Sequence, residues 1–206
     1  MAERKHGAPA PSTTQTVAGA DWYGRDVSGE VHTAVNFADL DFTEATGRGA
    51  TFTDCTFRRA KFNCSRVVDS AFVNCTFVNC TMFEAHFVEC KFVGSMFDKC
   101  TYDLMKVDGG NWSHVGLPGA DLRKSTFVNV RLREADLTGA RCEGASIRDC
   151  DLSGAWLHSA DFTDADLRGS DLSALEPENV KLRGAVITME QAITIATALG
   201  LDVRAE

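Results

Sequence analysis

Four cysteines fall within the stretch FVNCTFVNCTMFEAHFVECKFVGSMFDKC, residues 72–100: Cys75, Cys80, Cys90 and Cys100. Thiols at this density hold a soft metal, form a disulfide framework, or fill small buried spaces. The histidines add little to the first role: His32, His86, His114 and His158 are scattered, and His6 lies in a polar N-terminal stretch. No HExxH motif, Ser/His/Asp grouping, phosphate-cradling glycine loop or cofactor signature is present. Paired carboxylates such as Asp164 and Asp166 read as solvated surface. The chain therefore reads as a non-enzyme without metal or cofactor, and the role of the thiols depends on what positions them.

Stepping by five from Phe37 gives Phe42, Gly47, Phe52, Phe57, Phe62, Val67, Phe72, Phe77 and Met82, and the series runs on in phase to Leu172. Of these 28 consecutive positions only Gly47 is not apolar. A helix gives a period of about 3.6 and a flat strand one of about two, so neither explains the pattern. A left-handed β-helix repeats every six or so residues, and that phase fails within two steps. Two residues before the centres nearly all side chains are small, mostly Ala, Ser or Cys. Six of the eight cysteines (55, 75, 80, 90, 100 and 150) occupy this slot. A metal ligand could not alternate with alanine from one repeat to the next, whereas a space-filling residue can. The cysteines are expected to be reduced packing residues.

One large and one small inward residue in every five describes a chain that turns a corner every five residues. Four sides close a square coil of twenty residues, stacked at about 4.8 Å. The sequence resembles the pentapeptide-repeat family, whose motif A(D/N)LXX stands almost literally in GADLR (119–123), EADLT (134–138), CDLSG (150–154) and SADFTDADLRGSDLS (159–173). The resemblance covers about residues 21–187. It implies an all-β solenoid, a right-handed quadrilateral β-helix, closed by a short C-terminal α-helix.

Sorted into columns, the N-terminal half stacks phenylalanines and the C-terminal half leucines. Between them lies VDGGNWSHVGLPG (107–119). Trp112 is larger than its slot and Pro118 lacks a donor, so a locally distorted coil is expected there, a tolerated irregularity rather than a binding loop.

At the C-terminus Thr188 and Gln191 form a capping-box pattern and Gly200 a helix stop, which gives a cap and dimerisation element over 188–206. Met189, Ala192, Ile193, Ala196 and Leu199 share one stripe, expected to cover the open end of the coil. Ile195, Leu201 and Val203 lie off it. The apolar surplus suggests a two-fold homodimer interface built from Met189, Ile193, Ile195, Ala196, Leu199, Leu201 and Val203. Residues 1–20, polar and rich in Ala, Pro, Ser and Thr, read as a flexible tail on a cytoplasmic protein. No run reaches the roughly 18 apolar residues of a membrane span.

The net charge is −8 and the sequence pI about 5.1. A duplex-binding protein usually needs basic surface, so no direct nucleic-acid binding is expected. The face centred on the Phe42 column carries Asp41, Glu44, Glu84, Asp103, Asp121, Glu143, Asp161 and Asp164 against Lys61, Arg123, Lys124 and Arg141. The face around Leu132 and Leu152 is nearly balanced. Seven coils make a rod on the order of 34 Å, and an end-to-end dimer spans about twenty base pairs of duplex.

The two-part coil, the ending DADLRGSDLSALEPENVKLRGAVITMEQAITIATALGLDV and the lack of loop insertions are similar to the mycobacterial fluoroquinolone-resistance (Mfp-type) branch of the family, relatives of the Qnr proteins. That resemblance implies a homodimeric DNA mimic that binds DNA gyrase and lessens quinolone poisoning, with the eight carboxylates standing in for phosphates. Qnr proteins carry projecting loops and this chain has none. The alternative is a scaffold with a partner unrelated to topoisomerases. A third reading keeps gyrase but makes the purpose self-protection in a producer of a gyrase poison.

Overall fold

The computed structural model describes residues 9–204. Its register follows from the five-residue period: every ladder pair joins residues twenty apart, and all pairings are parallel. Four centres per coil give four faces, named here by the Phe37, Phe42, Val67 and Phe52 columns. The Phe37 face has strands Gln15–Ala18, Val35–Ala38, Thr56–Arg58, Thr76–Val78 and Met96–Asp98. The Val67 face has six, from Thr46–Arg48 to Ser146–Arg148, and the Phe52 face has Val31–Thr33, Thr51–Thr53 and Ala71–Val73. The Phe42 face is held by single bridges.

Exact register forces identical side chains on top of one another. Phe37, Phe57, Phe77 and Phe97 stack with centroid spacings of 5.0, 4.9 and 4.5 Å and rings within 9° of parallel. Phe52, Phe72 and Phe92 do the same at 4.8 and 4.7 Å. The ladder sets the stacking distance, which keeps rings face to face where an isolated pair would prefer an offset or edge-on arrangement.

The small slot has a polar function as well as a steric one. The Sγ of Cys55, Cys75, Cys80, Cys90, Cys100 and Cys150 each donates to the carbonyl 23 residues earlier, at 3.3–3.6 Å. Ser95, Ser125 and Ser170 make the same bond at 2.8–3.0 Å. Cysteine here is a weaker serine, and all eight cysteines are free thiols.

The residue two after most centres turns the corner with a left-handed backbone. Among the described residues nineteen non-glycine residues have positive φ, every one in this position. Most of the chain's glycines lie there too, Gly119 among them at φ +64°.

Three expectations need correction. The tail expected over 1–20 ends earlier, because Gln15–Ala18 pairs in register with Val35–Ala38. Val17, Trp22, Val27 and His32 continue the five-residue phase, and His32 stacks on Phe52 at 5.1 Å as part of an aromatic lid on the core. Residues 1–8, with His6, lie outside the described residues.

The coil expected to be distorted at 107–119 keeps its ladder bonds, and its departure from the repeat is at Gly110, which takes φ +89° one residue past the corner at Gly109. Gly110 brings its backbone against Cys90, and the Asn111, Trp112 and Gly116 N–H groups donate to Cys90, Arg131 and Ser95 at 3.0, 2.7 and 2.9 Å. Pro118 costs no ladder bond, because the N–H one residue after a centre is not a ladder donor. In sister coils it bonds the Asp side chain two residues earlier, as Thr138 does to Asp136 at 2.9 Å.

A second irregularity lies on the Phe42 face, between Thr101–Leu104 and Asp121–Lys124. The Asp121 N–H does not reach the Cys100 carbonyl, nor does the Tyr102 N–H reach that of Asp121. The equivalent bonds one coil earlier, Thr101 to Cys80 and Met82 to Thr101, measure 3.0 and 2.9 Å. Tyr102 and Trp112 share one coil on opposing walls, both buried.

The third correction concerns the C-terminal helix, Met189–Ala198. Gln191 Nε2 donates to the carbonyls of Leu167 and Ser170, both at 2.7 Å, which satisfies acceptors at the open coil end. This need turns the polar Gln191 inward, with Ile195 packed against the core beside it. Met189, Ile193 and Leu199, expected to cap, face outward instead. Ala196 is half-buried, and Leu201 and Val203 are exposed.

Candidate protein-interaction face

The eight acidic residues take three positions on the Phe42 face: just before a centre, on the corner two after it, and, for Asp103 and Glu143, one after it. Asp41, Asp121 and Asp161 occupy the position just before a centre, where the carboxylate closes the turn. Their Oδ1 atoms accept the backbone N–H of Thr43 at 3.1 Å, Arg123 at 3.5 Å and Thr163 at 3.0 Å. Their second oxygens bind cations of the same face: Lys61 at 3.4 Å, Arg123 and Arg141 at 2.7 and 3.3 Å, and Lys181 at 2.8 Å. These partners hold the acids below the usual carboxylate range: Thr43 chiefly for Asp41, Arg123 for Asp121, and Lys181 for Asp161, which falls to about 2.

Glu44, Glu84 and Asp164 take the second position. They sit on the left-handed corner, with φ of 57°, 52° and 57°. Glu84 accepts from the Cys64 thiol at 3.8 Å. Glu44 meets the Tyr23 hydroxyl, and that hydrogen bond is the main cause of the tyrosine's raised pKa. Asp103 pairs with Lys124 at 3.3 Å, and Glu143 lies 3.9 Å from Arg141. At the coil ends Asp21 joins the acids, and Lys181 and Arg183 join the bases. The face then carries nine acids against six bases, an excess of three rather than four.

Sequence reasoning missed a feature of this face. Three exposed apolar side chains, Tyr23, Phe83 and Leu104, lie on it, 58, 44 and 41% exposed. The signal was available, because all three occupy outward slots of the repeat.

The histidines stay apart. His32 bonds Glu30 at 2.9 Å, His86 bonds Asp108 at 2.5 Å, and His114 lies 3.5 Å from Glu134. His158 lines a shallow groove beside Trp156. Among the described residues no group of three or more His, Cys, Asp or Glu could hold a metal, and no helix is long and apolar enough to cross a membrane.

The family description "Pentapeptide repeat region" matches residues 51–127, and "Pentapeptide repeats (8 copies)" matches 33–63, 117–154, 135–173 and 160–188. The chain belongs to the pentapeptide-repeat family. Its fold is the right-handed quadrilateral β-helix of that family. Among solved structures it is similar to a trypsin-treated form of QnrB1, a plasmid-mediated fluoroquinolone resistance protein, with 19% identity and a TM-score of 0.66. That match covers 94% of this chain and 99% of the other. It is also similar to HetL, a pentapeptide-repeat protein involved in heterocyst differentiation regulation from the cyanobacterium Nostoc, with 18% identity and a TM-score of 0.54 over 84% of this chain and 86% of that one. No curated protein matches the chain.

Proposed function

We propose that this pentapeptide-repeat protein binds DNA gyrase through its Phe42 face, occupying the surface where the enzyme holds a DNA segment and lessening quinolone poisoning. The observation that carries the reading is the extent of the likeness to QnrB1, which runs along almost the whole of both chains. The Phe42 face supplies the chemistry, since it has the largest acidic excess and its corner carboxylates Glu44, Glu84 and Asp164 project from a stiff ladder. Tyr23, Phe83 and Leu104 add apolar anchors that DNA itself lacks. Two copies would join end to end through Met189, Ile193, Leu199, Leu201 and Val203, which doubles the rod. The test is a gyrase supercoiling assay with purified protein, with and without a fluoroquinolone. Inhibition at micromolar protein or rescue from the drug is expected, and neither effect on gyrase from several bacteria would refute the reading.

A second reading has its own observation. Most carboxylates of the Phe42 face are balanced by cations on the same face, which suits a scaffold for another protein partner. HetL shows that the same coil serves a regulatory role elsewhere.

A further inference from the structure

We propose that Cys80 and Cys100 form a dithiol that hydroperoxides oxidise to a cross-coil disulfide, at the opening in the ladder of the Phe42 face. Two observations carry this, one of register and one of access.

Cys80 and Cys100 occupy the same slot in successive coils. The adjoining Thr81 and Thr101 are ladder partners, and the two Sγ atoms donate to carbonyls one coil apart, those of Phe57 and Phe77. A coil spacing of about 4.8 Å lies within the Cα separation that disulfides span. Cys55 and Cys75 are stacked in the same way in the Phe37 column, so stacking alone does not single out a pair.

Access does. Cys55, Cys75 and Cys80 are buried, whereas Cys100 is half-buried. It lines a recess of about 110 Å3 with Thr101, Tyr102, Asp121, Arg123 and Lys124, where the ladder bonds to the next coil are missing. The missing bonds also give Cys100 the freedom to move towards Cys80 that a fully laddered residue lacks. Contact with Cys100 lowers the Cys80 thiol, and the same contact together with burial raises Cys100, so the pair loses its first proton from Cys80.

Hydrogen peroxide enters through the recess. The deprotonated Cys80 takes the Cys100 proton, the resulting Cys100 thiolate attacks one peroxide oxygen, the O–O bond breaks, and the departing hydroxide takes that proton back from Cys80 and leaves as water. Cys100 is then a sulfenic acid. The Cys80 sulfur attacks it, the S–S bond forms, the S–O bond breaks, and a second water leaves with the remaining proton. Two thiols are oxidised and one peroxide is reduced to two waters.

The full-length protein is treated with hydrogen peroxide, denatured, alkylated and mapped by mass spectrometry. The expected product is a Cys80–Cys100 linked peptide, with Cys55 and Cys75 recovered alkylated. Cys100→Ser should fold, because Ser95 and Ser125 fill this slot in neighbouring coils, and it should leave Cys80 reduced under the same treatment. Absence of the linked peptide, or a Cys55–Cys75 link forming as fast, would overturn the proposal. The outcome is independent of whether gyrase is the partner.

Discussion

The aspartate of the repeat motif shows how one residue type can read as function and act as structure. Asp41, Asp121 and Asp161 look like phosphate substitutes in sequence, yet each uses one oxygen to close its own turn. Asp161 is held to about 2, below its ordinary 3.8. A depressed folded value means that its contribution to stability is complete above about pH 4 and is lost as the pH falls towards 2. Asp161→Asn should therefore flatten the acid limb of a stability-versus-pH curve. The turn itself should survive, because Asn111 closes the equivalent turn at 3.0 Å; an unchanged acid limb would contradict the ion-pair account. The corner glycines give a second residue-scale test. Gly119→Ala meets no neighbour within 4 Å but must keep φ at +64°, so it should cost about 1 kcal/mol in urea unfolding. Gly110 lies one residue past its corner, at φ +89°, and Gly110→Ala would place its Cβ 2.1 Å from the Cys90 carbonyl oxygen, so it should cost more. The small slot and the cysteine question were legible from alternation with Ala and Ser. The left-handed corner was not, because Asp, Asn, Glu, Lys and Gly all occupy it and no single type marks it.

At the scale of elements, the phenylalanine columns were readable because register multiplies one choice into a stack. Phe72 touches stacked partners on both sides, and Phe72→Ala should cost about 3–5 kcal/mol by thermal or urea unfolding. The C-terminal helix shows where pattern reading fails. Its start is a capping box, with Thr188 and Gln191 bonded reciprocally at 2.8 and 3.2 Å. Its end is a Schellman motif, with the Leu201 N–H on Ala196 and the Gly200 N–H on Thr197. Both ends were written in the sequence, but the inward face was not. The apolar stripe suggested a cap, whereas the coil end needs donors for unpaired carbonyls, and Gln191 supplies them. Gln191→Ala should cost about 2 kcal/mol, measured by urea unfolding, since two buried acceptors and the helix cap are lost together. The opening at Cys100 was also invisible to periodicity, because the five-residue phase runs unbroken through Tyr102 and Leu122 while only the backbone bonds between those coils are lost.

At the scale of the molecule, the fold follows from one period held without a slip from Val17 to Leu172, and charge is what the fold leaves free to vary. The Phe42 face carries an excess of only three acids, so whole-rod charge is a weaker determinant of binding than the corner carboxylates that stand clear of the turns. The measurement that tests the central claim most directly is competition between this protein and a DNA segment for gyrase, comparing the wild-type chain with the double variant Glu84→Lys/Asp164→Lys. Lysine is compatible with the left-handed corner, since Lys99 occupies it at φ 52°. Glu134→Lys, on the Phe52 face, serves as the control. The account predicts that wild type and control displace DNA with an affinity that falls as salt rises, and that the double variant weakens about tenfold, or about 1.4 kcal/mol, with its stability unchanged. Displacement by the double variant equal to wild type, or no displacement by any of the three, would contradict it.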